Sequence, residues 1–185
     1  MRVITGKARG VSLKTPDGML TRPTADRVKE ALFSILNFEI PGANVLDLFG
    51  GTGQLGIEAL SRGARHAVFV DAREEACKLI QENLRRTKLE GEGRVVRSDY
   101  LAYLNRCTEK YNIIFLDPPY GEDFLETALK RITEIDILQS DGIIVTERPL
   151  GKDLAMEFEG YTRSKDYKYG KTLLAIYRKD EAEQL

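Results

Sequence analysis

The chain is short of the residues around which several kinds of site are built. Histidine occurs once, as His66, at the start of an apolar run, where a structural or edge role is the simpler reading. Chemistry centred on a histidine base is therefore disfavoured. Cysteine occurs twice, as Cys77 and Cys107, without pattern, and no Cys/His cluster has zinc spacing. Neither a disulfide framework nor a structural metal is expected, and a reducing, cytoplasmic setting fits. No apolar run approaches the ~20 residues that cross a bilayer. The opening "MRVITGKARG" holds no apolar segment suited to secretion, so no membrane partner is expected. No Gly-Lys-Ser/Thr follows the glycine-rich segment, which excludes a phosphate-binding P-loop. Repeats, low-complexity tracts and linkers are absent too.

What remains is an ordinary globular composition, 42% hydrophobic and 31% charged over 185 residues. That length suits one domain spanning 1–185, and a monomer is expected. The formal net charge is −1, but it is unevenly spread. Residues 1–30 carry Arg2, Lys7, Arg9, Lys14, Arg22, Arg27 and Lys29 against Asp17, Asp26 and Glu30. Residues 161–179 carry Arg163, Lys165, Lys168, Lys171, Arg178 and Lys179 against Asp166 alone. Two basic ends around an acidic middle hint at a polyanionic partner, although charge blocks are equally often solvated faces.

Residues 2–15 alternate around Gly6 and Gly10 and predict a small hairpin, giving an N-terminal extension over 1–22. "TRPTADRVKEALFSIL" then predicts an amphipathic helix, with Val28, Ala31, Leu32, Ile35 and Leu36 on one face and Thr24 or Asp26 as its cap. From there a core to 179 repeats one rhythm. The apolar runs "NVLDLF", "HAVFVDA", "GRVVRSD", "NIIFLDPP" and "GIIVTERP" are separated by helical stretches, the clearest being "REEACKLIQENLRR". Strands buried on both faces and alternating with helices predict a parallel, doubly wound α/β sheet. "YTRSKDYKYGKTLLAIYRK" instead reads as two strands joined near Tyr169–Lys171, an antiparallel hairpin closing one edge. Residues 180–185 are expected to fray.

Within "VLDLFGGTGQLGIEAL", Gly51, Gly53 and Gly56 fit G-x-G-x-x-G between a strand and a helix. Such glycines let backbone approach a ligand at a helix N-terminus. Asp71 ends the next strand, 18 residues after Gly53, where a carboxylate accepts bonds from the ribose hydroxyls of an adenosine cofactor. Asp47 narrows the choice. A dinucleotide would bring pyrophosphate beside this carboxylate and be repelled. S-adenosyl-L-methionine brings an ammonium and a sulfonium instead. The competing role for Asp47 is to cap loop amides. Asp99, ending the third strand, suits the adenine amino group, with Tyr100 or Leu101 over the ring, or else caps the helix that follows. Phe49, Gly50 and Ala72, beside these acids, complete the candidate cofactor residues. Acids at the carboxyl ends of three parallel strands converge on one crevice.

The fourth strand delivers Asp117, Pro118, Pro119 and Tyr120 to the same rim. Proline has no N–H, so the turn is rich in acceptors: the Asp117 carboxylate and the Pro118 carbonyl. Two acceptors suit the two hydrogens of a nucleobase amino group. They hold its lone pair toward an incoming methyl and stabilise the positive charge that grows on nitrogen. Tyr120 would stack on the base, which must be unpaired or flipped out.

On these residues the chain resembles a known family. "LDLFGGTGQLGIEAL", "VFVDA", "SDY" and "DPPY" look like the ordered motifs of class I S-adenosylmethionine-dependent methyltransferases acting on amino groups of nucleobases. The opening "RVITGKARGVSLKTP", the "RPTADRVKEALFSIL" helix and "YGKTLLAIYR" resemble the RsmD family of bacterial small-subunit ribosomal RNA guanine-N2 methyltransferases. The resemblance implies a seven-stranded Rossmann-like sheet with the last strand antiparallel. It places Asp47, Gly51 and Gly53 at the methionine end of the cofactor, Asp71 at the ribose and Asp99 at the adenine. Asp117, Pro118 and Tyr120 would take the guanine, and Arg22, Thr24 and Arg27 would lie near the substrate. It also implies ribosomal RNA, or a partly or fully assembled small-subunit particle, as partner.

Three other readings stay open at this level. An adenine-N6 DNA or RNA methyltransferase shares Asp-Pro-Pro-Tyr, but the motifs follow one another without an insertion large enough to read a DNA groove. A nicotinamide dehydrogenase fits the glycines and leaves Asp47 and the Asp117 turn unexplained. A non-enzymatic RNA-binding module fits the basic ends alone.

Overall fold

Five apolar runs of the sequence form a parallel sheet, because the inner ones must bury both of their faces. In a computed structural model, which describes residues 1–16, 23–119, 124–151, 154–158 and 160–180, with backbone alone at 23–25, these are β1 (Asn44–Asp47), β2 (His66–Asp71), β3 (Gly93–Arg97), β4 (Tyr111–Leu116) and β5 (Leu138–Pro149). Between and before them run the helices α1 (Pro23–Ile35), α2 (Gln54–Ser61), α3 (Glu74–Thr87), α4 (Tyr100–Leu104) and α5 (Phe124–Ile135). The chain then closes with β6 (Glu157–Phe158), β7 (Tyr161–Tyr169) and β8 (Thr172–Lys179). The spatial order is β3-β2-β1-β4-β5-β8-β7-β6. The order reverses direction at β1, and that crevice is where ligands of such sheets sit.

The terminal hairpin forms where expected, but its second strand is the inner one. β8 pairs antiparallel with β5 on one side and with β7 on the other. The described sheet has eight strands rather than seven, because the two residues of β6 add to the outer side of β7. Helix α1 begins at Pro23, so Thr24 and Asp26 lie inside its first turn rather than at its cap. Proline suits that first position because its missing N–H has no partner there in any case. Arg22, Tyr120 and the expected frayed residues 181–185 lie outside the described residues.

Side chains alternate between the two faces of each strand. Val45, Phe69, Ile113, Phe115, Ile143 and Val145 point to one core, where α1, α2 and α3 supply Leu32, Phe33, Ile57, Leu60, Ile80 and Leu84. Leu46, Val68, Val70, Ile114, Leu116 and Ile144 point to the other, covered by Leu125, Leu129 and Ile132 of α5. Gly56 sits where α2 crosses β2. A Cβ there would lie 2.2 Å from the Phe69 ring, so the third glycine of the motif is required for packing.

The N-terminal segment forms a short hairpin that docks on α2. The antiparallel bridge of Arg2 with Ser12 and backbone bonds from Val3 N to the Val11 carbonyl at 3.0 Å, Gly10 N to the Val3 carbonyl at 2.9 Å and Leu13 N to the Met1 carbonyl at 3.0 Å join its arms. Backbone groups between the arms turn to α2. Ile4 and Thr5 donate to the Glu58 carboxylate at 2.8 and 3.1 Å. Lys7 donates to the Ser61 carbonyl at 2.8 Å, and Ala8 to Ser61 Oγ at 3.0 Å. Glu58 is fully buried and also meets Arg62 Nε at 2.8 Å and Lys29 Nζ at 3.7 Å. Burial lowers the Lys29 pKa despite the pull of Glu58. Removing one partner of a buried ionic cluster strands the rest, at a cost of about 3–5 kcal/mol. Glu58→Ala is therefore expected to lower the urea midpoint by that much stability. It should also speed amide exchange at Ile4 and Thr5 ahead of the sheet.

Candidate active site

The register of the parallel strands decides which carboxylates meet. Asp47 of β1 lies opposite Phe69 of β2 and Phe115 of β4, and Phe115 lies opposite Val145 of β5. Two residues further along, Asp71, Asp117 and Glu147 end one pleat above that level. All four acids share the face of Phe69, Phe115 and Val145, by the period-two alternation. They line one cleft of about 1150 Å³. Phe49, Gly50, Gly51, Ala72, Asp99, Tyr100, Pro118 and Pro119 line it as well. The structure thus brings together the candidate acids, the loop and the described part of the Asp117 turn.

Gly53 is not on the cleft wall. With φ +78° it turns the loop into α2, and a Cβ there would press on Ile57 and Ile80. Arg27 is exposed near the start of α1, and the side chain of Thr24 is outside the described residues. His66 opens β2 at the opposite, amino end of the sheet. Among the described residues no group of His, Cys, Asp and Glu could hold a metal ion.

Asp47 is buried, and its Oδ2 accepts the Gly56 amide of α2 at 3.1 Å. The amide-capping role is therefore real and leaves the second oxygen uncommitted by that bond. Burial pushes its carboxyl up to about 8, against the Gly56 bond, with smaller pushes from Asp117 and Asp71. A cation placed beside it would relieve that cost. Asp71 accepts Gly51 N on Oδ2 at 3.0 Å and is clasped by Arg73, whose Nε reaches Oδ1 and Nη2 reaches Oδ2, both at 3.1 Å. The Arg73 side chain is 68% exposed while that of Asp71 is 9% exposed, so the guanidinium can turn into solvent when another donor takes the carboxylate. Asp99 caps α4 through Oδ1 alone, accepting Leu101 N at 2.9 Å and Ala102 N at 3.1 Å. Burial raises Asp117 to about 6.

Among the cleft residues that escaped the sequence reading, Phe124 and Glu147 stand out. Phe124, at the start of α5, meets Tyr100 edge-on at 5.6 Å and Phe49 at 6.1 Å, while Phe49 and Tyr100 are 5.2 Å apart. These three rings make an aromatic wall between Asp99 and the Asp117 turn. No local pattern marked Phe124, because its partners are distant in sequence. Glu147 carried a signal that could have found it: it ends the fifth apolar run as Asp71, Asp99 and Asp117 end theirs. Burial and the charge of Asp117 push its carboxyl up to about 8.

A Rossmann-like sheet with a glycine loop and acids at the ends of its parallel strands has the architecture of the class I methyltransferases. The family model described as conserved hypothetical protein 95 matches residues 1–178. A Bacillus subtilis (strain 168) protein, YlbH, provisionally named an rRNA methyltransferase, is 40% identical over 97% of this chain and 99% of its own. The "Ribosomal RNA small subunit methyltransferase D" of Escherichia coli (strain K12) is 32% identical over 97% of this chain and 90% of its own. The solved structure of yhhF from Escherichia coli, provisionally named a methyltransferase, superposes with a TM-score of 0.88 at 30% identity, covering 98% of this chain and 99% of that one. The chain belongs to the RsmD family of rRNA methyltransferases, whose cofactor is S-adenosyl-L-methionine.

The Asp47 carboxyl gives a signed prediction. Its folded-state pKa of about 8 exceeds the ordinary 3.8, so the folded state holds the extra proton and stability falls as pH rises from about 4 to 8. Asp47→Asn should raise the melting temperature of the cofactor-free protein near pH 7.5 and flatten that pH dependence. The same variant should lose S-adenosylmethionine affinity in calorimetry. For the unaltered protein, affinity should rise with pH toward 8, with proton release on binding.

Proposed function

We propose that the protein transfers a methyl group from S-adenosyl-L-methionine to the exocyclic N2 amine of a guanosine in small-subunit ribosomal RNA, on an assembled or partly assembled particle. One observation carries the reading: the Asp117-Pro118 turn shares a cleft with the acids suited to the adenosyl and methionine parts of the cofactor. The cofactor, when bound, supplies an electrophilic methyl carbon. The chain's own residues do the rest. Asp71 accepts from the ribose hydroxyls and Asp99 from the adenine amine, while the ring edges of Phe49 and Tyr100 bound the adenine. Asp47 balances the ammonium, and the Gly50–Gly51 turn lets backbone close on the methionine end. Asp117 and the Pro118 carbonyl hold the two hydrogens of the target amine, so that its lone pair faces the methyl carbon. They also stabilise the charge that develops on nitrogen. Tyr120 stacks on the flipped base, with Pro119 beside it.

Both basic ends support an RNA partner at this rim. The turn between β7 and β8 lies at the carboxyl end of the parallel strands, because Thr172 pairs with Pro149 and Leu150 N donates to the Lys171 carbonyl at 3.0 Å. Lys168 and Lys171 are exposed there. Helix α1 ends at the opposite edge, since Glu39, just beyond it, pairs with Arg178 at 2.8 Å and Arg178 lies opposite Ile143, early in the core of β5. Its start therefore points toward the end of the sheet that carries the cleft, where Arg27 is exposed. A net charge of −1 gives little nonspecific pull on free RNA, which favours a structured particle as substrate.

Asp117→Ala should reduce methyl transfer to small-subunit particles by at least about 100-fold while leaving cofactor affinity within a few-fold; equal loss of both contradicts the assigned role. Mapping the labelled nucleotide in particles that lack the modification tests the guanine-N2 position, and comparison with naked RNA tests the particle. The pair Lys168→Ala and Lys171→Ala should weaken RNA binding and lower the slope of log affinity against log salt by roughly 1.4–1.8.

A further inference from the structure

Of the acids on the strand ends, Glu147 alone has no part in the chemistry above. Nothing in the sheet requires it. β5 is already paired on both sides, by β4 and β8, so no backbone group waits for a side-chain acceptor. Yet it is half-buried in the cleft wall. Leu116 lies opposite Thr146, so Asp117 and Glu147 are the next residues on adjacent strands, on one face. Among the described residues, the charge that acts on it is that of Asp117. Two carboxyl groups side by side repel unless donors lie between them, and this pair faces the place proposed for the target amine.

The Watson–Crick edge of guanine offers neighbouring donors, the two N2 hydrogens and N1–H. Adenine offers the N6 hydrogens beside a lone pair on N1. We infer that Glu147 is a specificity-determining residue: its carboxylate accepts the guanine N1–H next to the amine held by Asp117, and it rejects adenine by opposing that lone pair. The inference rests on the proposed transfer to a guanine amine and adds the residue that chooses the base. Burial and Asp117 push the Glu147 carboxyl up to about 8; an N–H donor favours its charged form, so guanine binding is accompanied by proton loss. A buried acceptor built for an N–H penalises a base lacking it, because the acceptor is then left unpaired.

The test uses small-subunit particles assembled with guanosine, 2-aminopurine or adenosine at the target position. 2-Aminopurine keeps the exocyclic amine and lacks N1–H. Methyl transfer from labelled cofactor is measured above pH 8, where Glu147 ionises, for the unaltered enzyme, Glu147→Met and Glu147→Gln. The unaltered enzyme should prefer guanosine to 2-aminopurine by at least about tenfold. Met, similar in shape but without an oxygen acceptor, should bring that preference close to unity, with cofactor affinity kept as a check on folding. Gln retains a carbonyl and should restore part of it. A Met variant that slows on both bases equally, with the preference intact, overturns the inference and leaves the proposed function standing. An unaltered enzyme that methylates adenosine as well as guanosine overturns it too. If the unaltered enzyme methylates none of the three particles, the proposed function fails and this inference fails with it.

Discussion

Parallel pairing in register is the constraint on which this structure depends. When four adjacent strands run the same way, residues of one parity share one face, and their ends share one rim. Asp71, Asp47, Asp117 and Glu147 come from β2, β1, β4 and β5 and are far apart in sequence. Register alone brings them to a single cleft. A slip of one residue in any strand would send its acid to the opposite face and its apolar neighbours into the cleft. The large buried residues below them, Phe69, Phe115 and Val145, therefore hold the site in place as well as fill a core.

Burial is what makes these acids useful. The cleft floor is the top of the core, so solvent is scarce there and the Asp47, Asp117 and Glu147 carboxylates are costly to charge. Asp47 and Glu147 are pushed to about 8 and Asp117 to about 6. A site of this kind favours ligands that bring donors and positive charge, and disfavours phosphate. That preference separates an adenosyl sulfonium cofactor from a dinucleotide more clearly than the glycine pattern does, since the glycines are common to both. The exposed clasp of Arg73 on Asp71 fits the same logic. It satisfies Asp71 from a side chain that is itself free to move into solvent.

The N-terminal segment shows a different physics. Its two arms bond to each other, and the residues between them are satisfied by α2. Glu58, on the buried side of that helix, gathers two backbone amides, Lys29 and Arg62. Gly6, at φ +90°, passes so close to the Ser61 carbonyl that a Cβ would lie 1.8 Å away. Met1, Lys14, Thr15 and Pro16 are thereby laid along the mouth of the cleft.

Local pattern determined a good deal. The apolar runs and their helical spacers specified the parallel sheet, because a strand buried on both faces has few other uses. Asp47, Asp71, Asp99 and Asp117 were legible as cleft residues because each sits at or just past a strand end, where side chains must face a rim. Pattern misled where neighbours in space replaced neighbours in sequence. Alternation over residues 2–15 marked the paired arms but not that Glu58 and Ser61 take the hydrogen bonds of the residues between them. Thr24 and Asp26 looked like caps until Pro23 opened the helix. Only the tertiary structure decided that Phe124 joins Phe49 and Tyr100, that Gly53 supports the loop from below, and that Glu147 stands beside Asp117. Those relations are set by strand order and register, which depend on contacts between distant residues and leave no period in the chain.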